Sequence, residues 1–243
     1  MVRILDSVIK YVLARLEKEN LLKEDVAIKA KVLSTQEAIG NPEEYDFPIL
    51  KGKEKIMEAE FRGFKGQAFT DMFGGYKGSL ESIFKMKSSN NFRRALQVAV
   101  VNALAQYWNL ADKTQHCKDE TPKICASKIK DYVHKNYPQI RNIVIVGYQP
   151  AIIDVLSKEY DLRVLDLDAD NIGKEKFGVK IENGDGGIGE ILSSAELVLA
   201  TGSTLVNGTI DRIIFHAGNK VIFYGITIAG ASAMTNLRRL CFA

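Results

Sequence analysis

The sequence predicts an α/β protein in two parts: a small α+β unit, then a parallel sheet wrapped by helices. Three observations carry this. From Asn142 onward, short apolar runs alternate with helical stretches across short links, which is how a parallel sheet is built. Before that, the order is helix, strands, helices, and the stretch 91–109 is apolar around nearly its whole circumference. Finally, 46% hydrophobic and 26% charged residues over 243 positions are globular proportions, which exclude disorder and a disulfide scaffold.

Taken in order, Ile4, Leu5, Val8, Ile9, Val12, Leu13 and Leu16 form one stripe of an amphipathic helix. Asp25–Leu33 alternates Val26, Ile28, Ala30 and Val32 with Lys29 and Lys31, as a half-buried strand does. Ile56–Phe61 and Gly66–Phe69 are two more strands about a turn, and Ser79 is placed to cap the short helix that follows. A helix over Ser127–Lys135 ends near Tyr137-Pro138, where the pattern changes. We therefore expect one domain over 1–137, including its linking helices, and a second over 138–243. In the second, the strands are Ile143–Val146, Leu162–Leu167, Glu196–Ala200 and Lys220–Tyr224, with helices at Ala151–Lys158 and Asn207–Ala217.

A net charge of +3 is too small to imply a polyanion, so no nucleic-acid partner is expected. No 18 apolar residues run together, so no membrane span is expected, and the N-terminus lacks the pattern of a signal peptide. Three cysteines form no disulfide framework; reduced thiols and a cytoplasmic location are the expectation.

Ligands of open parallel sheets bind beyond the carboxyl ends of the strands. Those ends carry Gly147-Tyr148-Gln149-Pro150, Asp166 to Asn171, Thr201-Gly202-Ser203-Thr204 and Gly225-Ile226-Thr227, which together outline a cleft. The first turn lacks G-x-G-x-x-G, which weakens a dinucleotide reading, although Asp166 follows Gly147 by 19 residues, where a ribose-binding carboxylate would stand. Thr201 to Thr209 combines a glycine, hydroxyls and a following helix, which suits an anionic ligand group; plain helix capping by Ser203, Thr204 or Asn207 is the competing reading. Asn183 to Gly189, with four glycines, reads as a flexible connection or a lid bearing Asp185. Asn102 and Gln106 lie one turn apart on the apolar helix, either bonded to a loop or facing the junction. His116, Cys117, Asp119, Glu120 and Cys125 are the soft-ligand cluster, but adjacent His116-Cys117 chelates one zinc awkwardly, and an incidental polar loop explains them. No Ser-His-Asp order, His-x-x-x-His pair or Walker motif is present.

Ile143–Gly147 with Tyr148-Gln149-Pro150, and then Ala195 through Thr209, resembles the heavy-metal-chelation family, whose members join a small enolase-N-terminal-like domain to a Rossmann-like domain. The likeness is strongest over 143–225. It implies a working cleft between the domains, lined by Gly147, Tyr148 and Pro150, by Thr201, Gly202, Ser203, Thr204 and Asn207, and by Gly225. Asp166 stands where the family often has Glu, and Asn102-Ala103 is similar to its Asn-Ala on the buried helix. Ile226 to Gly230 departs from the family's G-P-S-x-P turn. The resemblance further implies a divalent or heavy metal ion as cofactor. Three functions follow as expectations. One is a binding protein for an anionic or metal-chelating small molecule; another is an enzyme with a nucleotide-type cofactor such as S-adenosylmethionine. The third is an assembly module without a ligand, in which a homo-oligomer would form.

Overall fold

The computed structural model describes residues 3–23, 28–40, 48–51 and 54–242. Within them, helix α1 spans Ile4–Lys18 and buries Leu5, Val8, Val12 and Leu16, the stripe its spacing predicts. Strand β1 is Ile28–Val32; the start of the expected strand, 25–27, lies outside the described residues. A one-turn helix α2, Thr35–Ile39, was not expected; Ser34 and Glu37 close a capping box at its start. Strands β2 (Lys55–Phe61), β3 (Phe64–Thr70) and β4 (Tyr76–Gly78) complete an antiparallel sheet in the order β3-β2-β1-β4.

Next come α3, Leu80–Lys85, capped by Ser79 as expected, and α4, Asn91–Tyr107. Eleven consecutive residues of α4, Ala95 to Ala105, are buried. The helix lies against β3 so closely that Gly66 has no room for a side chain: a Cβ there would overlap the Ala99 carbonyl and the Ala103 amide. Helix α5, Thr121–Asn136, then turns Ala126, Ile129 and Val133 into a cluster with the strands that follow.

Those strands are β5 (Asn142–Val146), β6 (Asp161–Asp166), β7 (Glu175–Lys176), β8 (Val179–Asn183), β9 (Leu197–Thr201), β10 (Val221–Tyr224) and β11 (Arg239–Leu240). They form one seven-stranded sheet in the order β11-β10-β9-β5-β6-β8-β7. Every pair is parallel except β7 with β8. The strand order reverses between β5 and β9, the crevice where such sheets hold ligands. Helices α6 (Pro150–Leu156), α7 (Ile188–Ser194), α8 (Thr204–Asn207), α9 (Ile210–Ala217) and α10 (Ala229–Thr235) connect the strands. The helix expected over Asn207–Ala217 is two pieces, because Gly208 takes a left-handed φ of +82° and ends α8.

Two apolar layers flank the large sheet. One runs continuously from α1, β2 and α4 to Val144, Val198 and Phe223, so it joins the two sheets; the other holds α5 and α6 against Ile143, Ile145 and Leu199. Among the described residues, no helix is long and apolar enough to cross a membrane.

Candidate functional site

A cavity of about 410 Å³ opens at the carboxyl ends of β5, β6, β9 and β10, and the ends of β2 and β3 face it across the gap. Nine of the eleven residues picked from the sequence line it: Gly147, Tyr148, Asp166, Thr201, Gly202, Ser203, Thr204, Asn207 and Gly225. Pro150 and Asn102 do not.

Pro150 is buried at the first position of α6, where its missing N–H costs nothing. Asn102 is fully buried within α4 and its amide is completely occupied. Its Nδ2 donates to the carbonyls of Gln67 (2.8 Å), Ile226 (3.1 Å) and Thr227 (3.2 Å), and its Oδ1 accepts from the Gly230 amide (2.7 Å). Asn102 is thus a structural clamp between β3 and the turn after β10, not a ligand contact. Gln106 has a similar part, accepting from the Lys65 amide at 3.1 Å.

The turn after β5 depends on Gly147. Its φ is +95°, and a Cβ there would meet the Thr201 side chain. Tyr224 Oη donates to the Gly147 carbonyl at 3.1 Å, tying β10 to this turn. Burial, and then the nearby Asp166 and Glu54 carboxylates, push the Tyr224 phenol up, so it stays protonated.

Asp166 closes β6 and organises what surrounds it. Its Oδ2 accepts from the Tyr148 amide (2.7 Å), and its Oδ1 accepts from the Asp168 amide (2.8 Å) and Asn171 Nδ2 (3.2 Å). Three bonds to its own neighbourhood leave it poorly suited to grip a ribose.

In the 201–209 stretch, the geometry gives little support to the anion expectation. Helix α8 is only four residues long, and a single turn carries little dipole. The Gly202 amide donates to Tyr224 O (2.9 Å) and the Ser203 amide to Thr201 Oγ1 (3.4 Å), so those N–H groups are occupied. Of the three capping candidates, Ser203 makes no cap bond, Thr204 Oγ1 donates to the Thr201 carbonyl at 2.8 Å, and Asn207 Oδ1 accepts from the amide and hydroxyl of Thr209, leading into α9. The hydroxyls of Thr201 and Ser203 bond each other at 3.3 Å on the cavity wall.

Charge points the same way. The lining carries four carboxylates, Glu54, Asp71, Asp166 and Asp168, against one guanidinium, Arg212. Arg212 is directed at backbone, donating to the carbonyls of Asp185 (2.8 Å) and Gly184 (3.0 Å); this tethers the glycine-rich 183–189 segment. Glu54, just before β2, was not foreseen: its charge lies in a Lys/Glu-rich run that reads as a solvated surface. Burial, then Asp166, Asp71 and Asp168, push its carboxyl up to about 7.

The soft-ligand residues also reach this cavity. His116, Cys117 and Cys125 line it together with Cys241 from the far end of the chain, so the loop is part of the wall rather than incidental. Burial first, then the adjacent Cys125 and Cys241, push the Cys117 thiol up to about 12. His116 is held down to about 4 by burial and rests Nδ1 on the Ala38 carbonyl at 3.2 Å. Asp119 and Glu120 are not among the lining residues. Among the described residues, no group of three or more His, Cys, Asp or Glu is placed to hold a metal ion directly.

Comparison with known proteins gives the following. No curated protein matches the chain. A crystal structure of a DUF364-family protein of unknown function from Pyrococcus horikoshii is similar at 21% identity and a TM-score of 0.57, over 92% of this chain and 79% of that one. A second, from Desulfitobacterium hafniense DCB-2, is similar at 14% identity and a TM-score of 0.50, over 76% of this chain and 72% of that one. At these identities the likeness shows the fold. In sequence, residues 133–237, which hold all four strand-end turns, match the model of the DUF364 family, described as "Putative heavy-metal chelation".

Proposed function

We propose that this protein binds a metal-chelating small molecule in the cavity at the strand ends, with the 201–207 turn and the Gly147–Tyr148 turn as its walls. The observation that carries the reading is convergence. Residues picked from turns far apart in sequence line one cavity at the point where the strand order reverses. The family description points the same way. A bare anion is disfavoured by the four carboxylates in the lining. A nucleotide cofactor loses its best anchor, because Asp166 is already bonded to Tyr148, Asp168 and Asn171.

The test is a thermal-shift comparison of metal-stripped protein with ferric citrate, nickel–histidine, nickel chloride and S-adenosylmethionine. A ligand at 100 times its Kd stabilises the folded state by about 2.7 kcal/mol, a Tm rise of roughly 5–10 °C for a chain of this size. We expect such a rise with a metal chelate and its loss in the Ser203→Ala, Asn207→Ala double variant. A rise with S-adenosylmethionine alone, or one that survives the double variant, would overturn the reading.

A further inference from the structure

The acidic side of the cavity contains one carboxylate, half-buried, that makes no bond to the protein among the described residues. Asp71 Oδ1 accepts from Asn91 Nδ2 at 2.6 Å, Asp166 takes three bonds, and Asp168 Oδ1 accepts from the Asp170 amide at 2.9 Å. Glu54 lines the same cavity, yet its carboxylate has no hydrogen bond or ion pair among the described residues. Its neighbours make matters worse: Asp71 follows β3, Asp166 and Asp168 end β6, and the Tyr224 phenol on β10 is directed at Gly147 O. The one lining cation, Arg212, is spent on the Asp185 and Gly184 carbonyls. Glu54 is half-buried and its carboxylate opens on the cavity, so four carboxylates with the one lining guanidinium turned to backbone leave a negatively charged cavity that a cationic ligand would complement.

A ligand that brings its own donors fits this lining better than a bare ion, since no group of three or more His, Cys, Asp or Glu among the described residues is placed to hold one. We infer that Glu54 is the acceptor for a cationic metal complex, gripped through N–H or O–H groups of the complex's own ligands rather than by coordination to the protein. Asp71 and Asp168 add negative field, and Thr201 and Ser203 in the same lining offer hydroxyls to the ligand shell. The inference rests on the cavity being the ligand site, and it adds the charge and the mode of recognition. An organic ammonium shares this chemistry, so the test separates the two sources.

The experiment is titration calorimetry of the whole metal-stripped protein at pH 8 with three probes: the substitution-inert hexaamminecobalt(III) ion, spermidine and nickel chloride. We expect one hexaamminecobalt(III) per chain, bound more tightly than spermidine or nickel. In Glu54→Gln we expect affinity to fall roughly 10- to 100-fold, the usual weight of one charge-assisted hydrogen bond. Glu175→Gln, on an exposed residue of β7 outside the lining, should bind as wild type does. Nickel chloride binding more tightly than the inert ion would establish direct coordination and overturn the inference. Spermidine binding more tightly in a Glu54-dependent way would replace the metal complex with an ammonium. Hexaamminecobalt(III) binding that survives Glu54→Gln but is lost in the Ser203→Ala, Asn207→Ala double variant would overturn the role of Glu54 alone and leave the proposed function standing.

Discussion

If Glu54 is a site residue waiting for a cation, then the ligand-free protein should be less stable for having it. Its carboxyl titrates near 7 in the fold and near 4.5 when unfolded. Between those values the folded state holds more protons than the unfolded state, so this residue makes stability fall as pH rises. The burden is absent below about pH 4.5 and complete above about pH 7. A lift from 4.5 to about 7 corresponds to roughly 3 kcal/mol, an upper figure because the side chain is only half-buried and water in the cavity screens part of it. Glu54→Gln keeps the size and removes the charge. It should therefore stabilise the ligand-free protein by about 2–3 kcal/mol at pH 8 and hardly at all at pH 4.5. Urea unfolding at pH 4.5, 6, 7 and 8 measures this: with an m-value of about 3 kcal/mol/M, the midpoint should rise by up to about 1 M at pH 8. A difference that is constant with pH, or a variant less stable than wild type at pH 8, would refute the reasoning.

Three further outcomes follow from the packing. His116 is neutral in the fold down to about 4 against 6.5 unfolded, so it has the opposite sign: stability is intact above about pH 6.5 and is lost as pH falls toward 4, by about 3 kcal/mol at most. Unfolding curves of His116→Gln should lose that acid slope, and an unchanged slope would exclude His116 as its source. Asn102→Ala would strand the buried Gly230 amide and remove a donor from three carbonyls, which predicts a loss of about 3–4 kcal/mol by urea unfolding. A loss under 1 kcal/mol would mean that the clamp is dispensable. Gly66→Ala forces a methyl group against the backbone of α4, so a Tm drop of 10 °C or more is expected; a drop under about 3 °C would show that β3 can move away cheaply.

What could be read from the sequence divides along the range of the interactions involved. Strands β5, β9 and β10 are apolar runs because both faces of the large sheet are covered there, and α4 is apolar all round because it is buried between β3 and α10. Both are local consequences of burial, visible as patterns. Two strands at one side of the sheet gave no pattern: the edge strand β7 is Glu175-Lys176, and its neighbour β8 (Val179–Asn183) alternates too weakly in a polar stretch to stand out. The site was legible where backbone turns need glycine, hydroxyls or Asn. It was not legible where a single charge matters, because Glu54 among lysines and glutamates is indistinguishable from surface until the fold brings it near Asp166 at the end of β6. Cys241 is a similar case, meeting Cys117 only through the three-dimensional path of the chain. The two readings of 201–209, anion site and self-bonded turn, stayed open in the sequence for a local reason as well. Glycine, hydroxyls and a helix start are common to phosphate loops and to self-bonded turns, and only the partners of the Gly202 and Ser203 amides separate them.

The most direct test of the central claim is a crystal structure with hexaamminecobalt(III), read from the anomalous signal of cobalt. The account predicts one cobalt in the cavity, with an ammine nitrogen about 3 Å from a Glu54 carboxylate oxygen and the 201–207 turn in the same lining. Cobalt found only on the outer surface, with the cavity empty of it, would contradict the account.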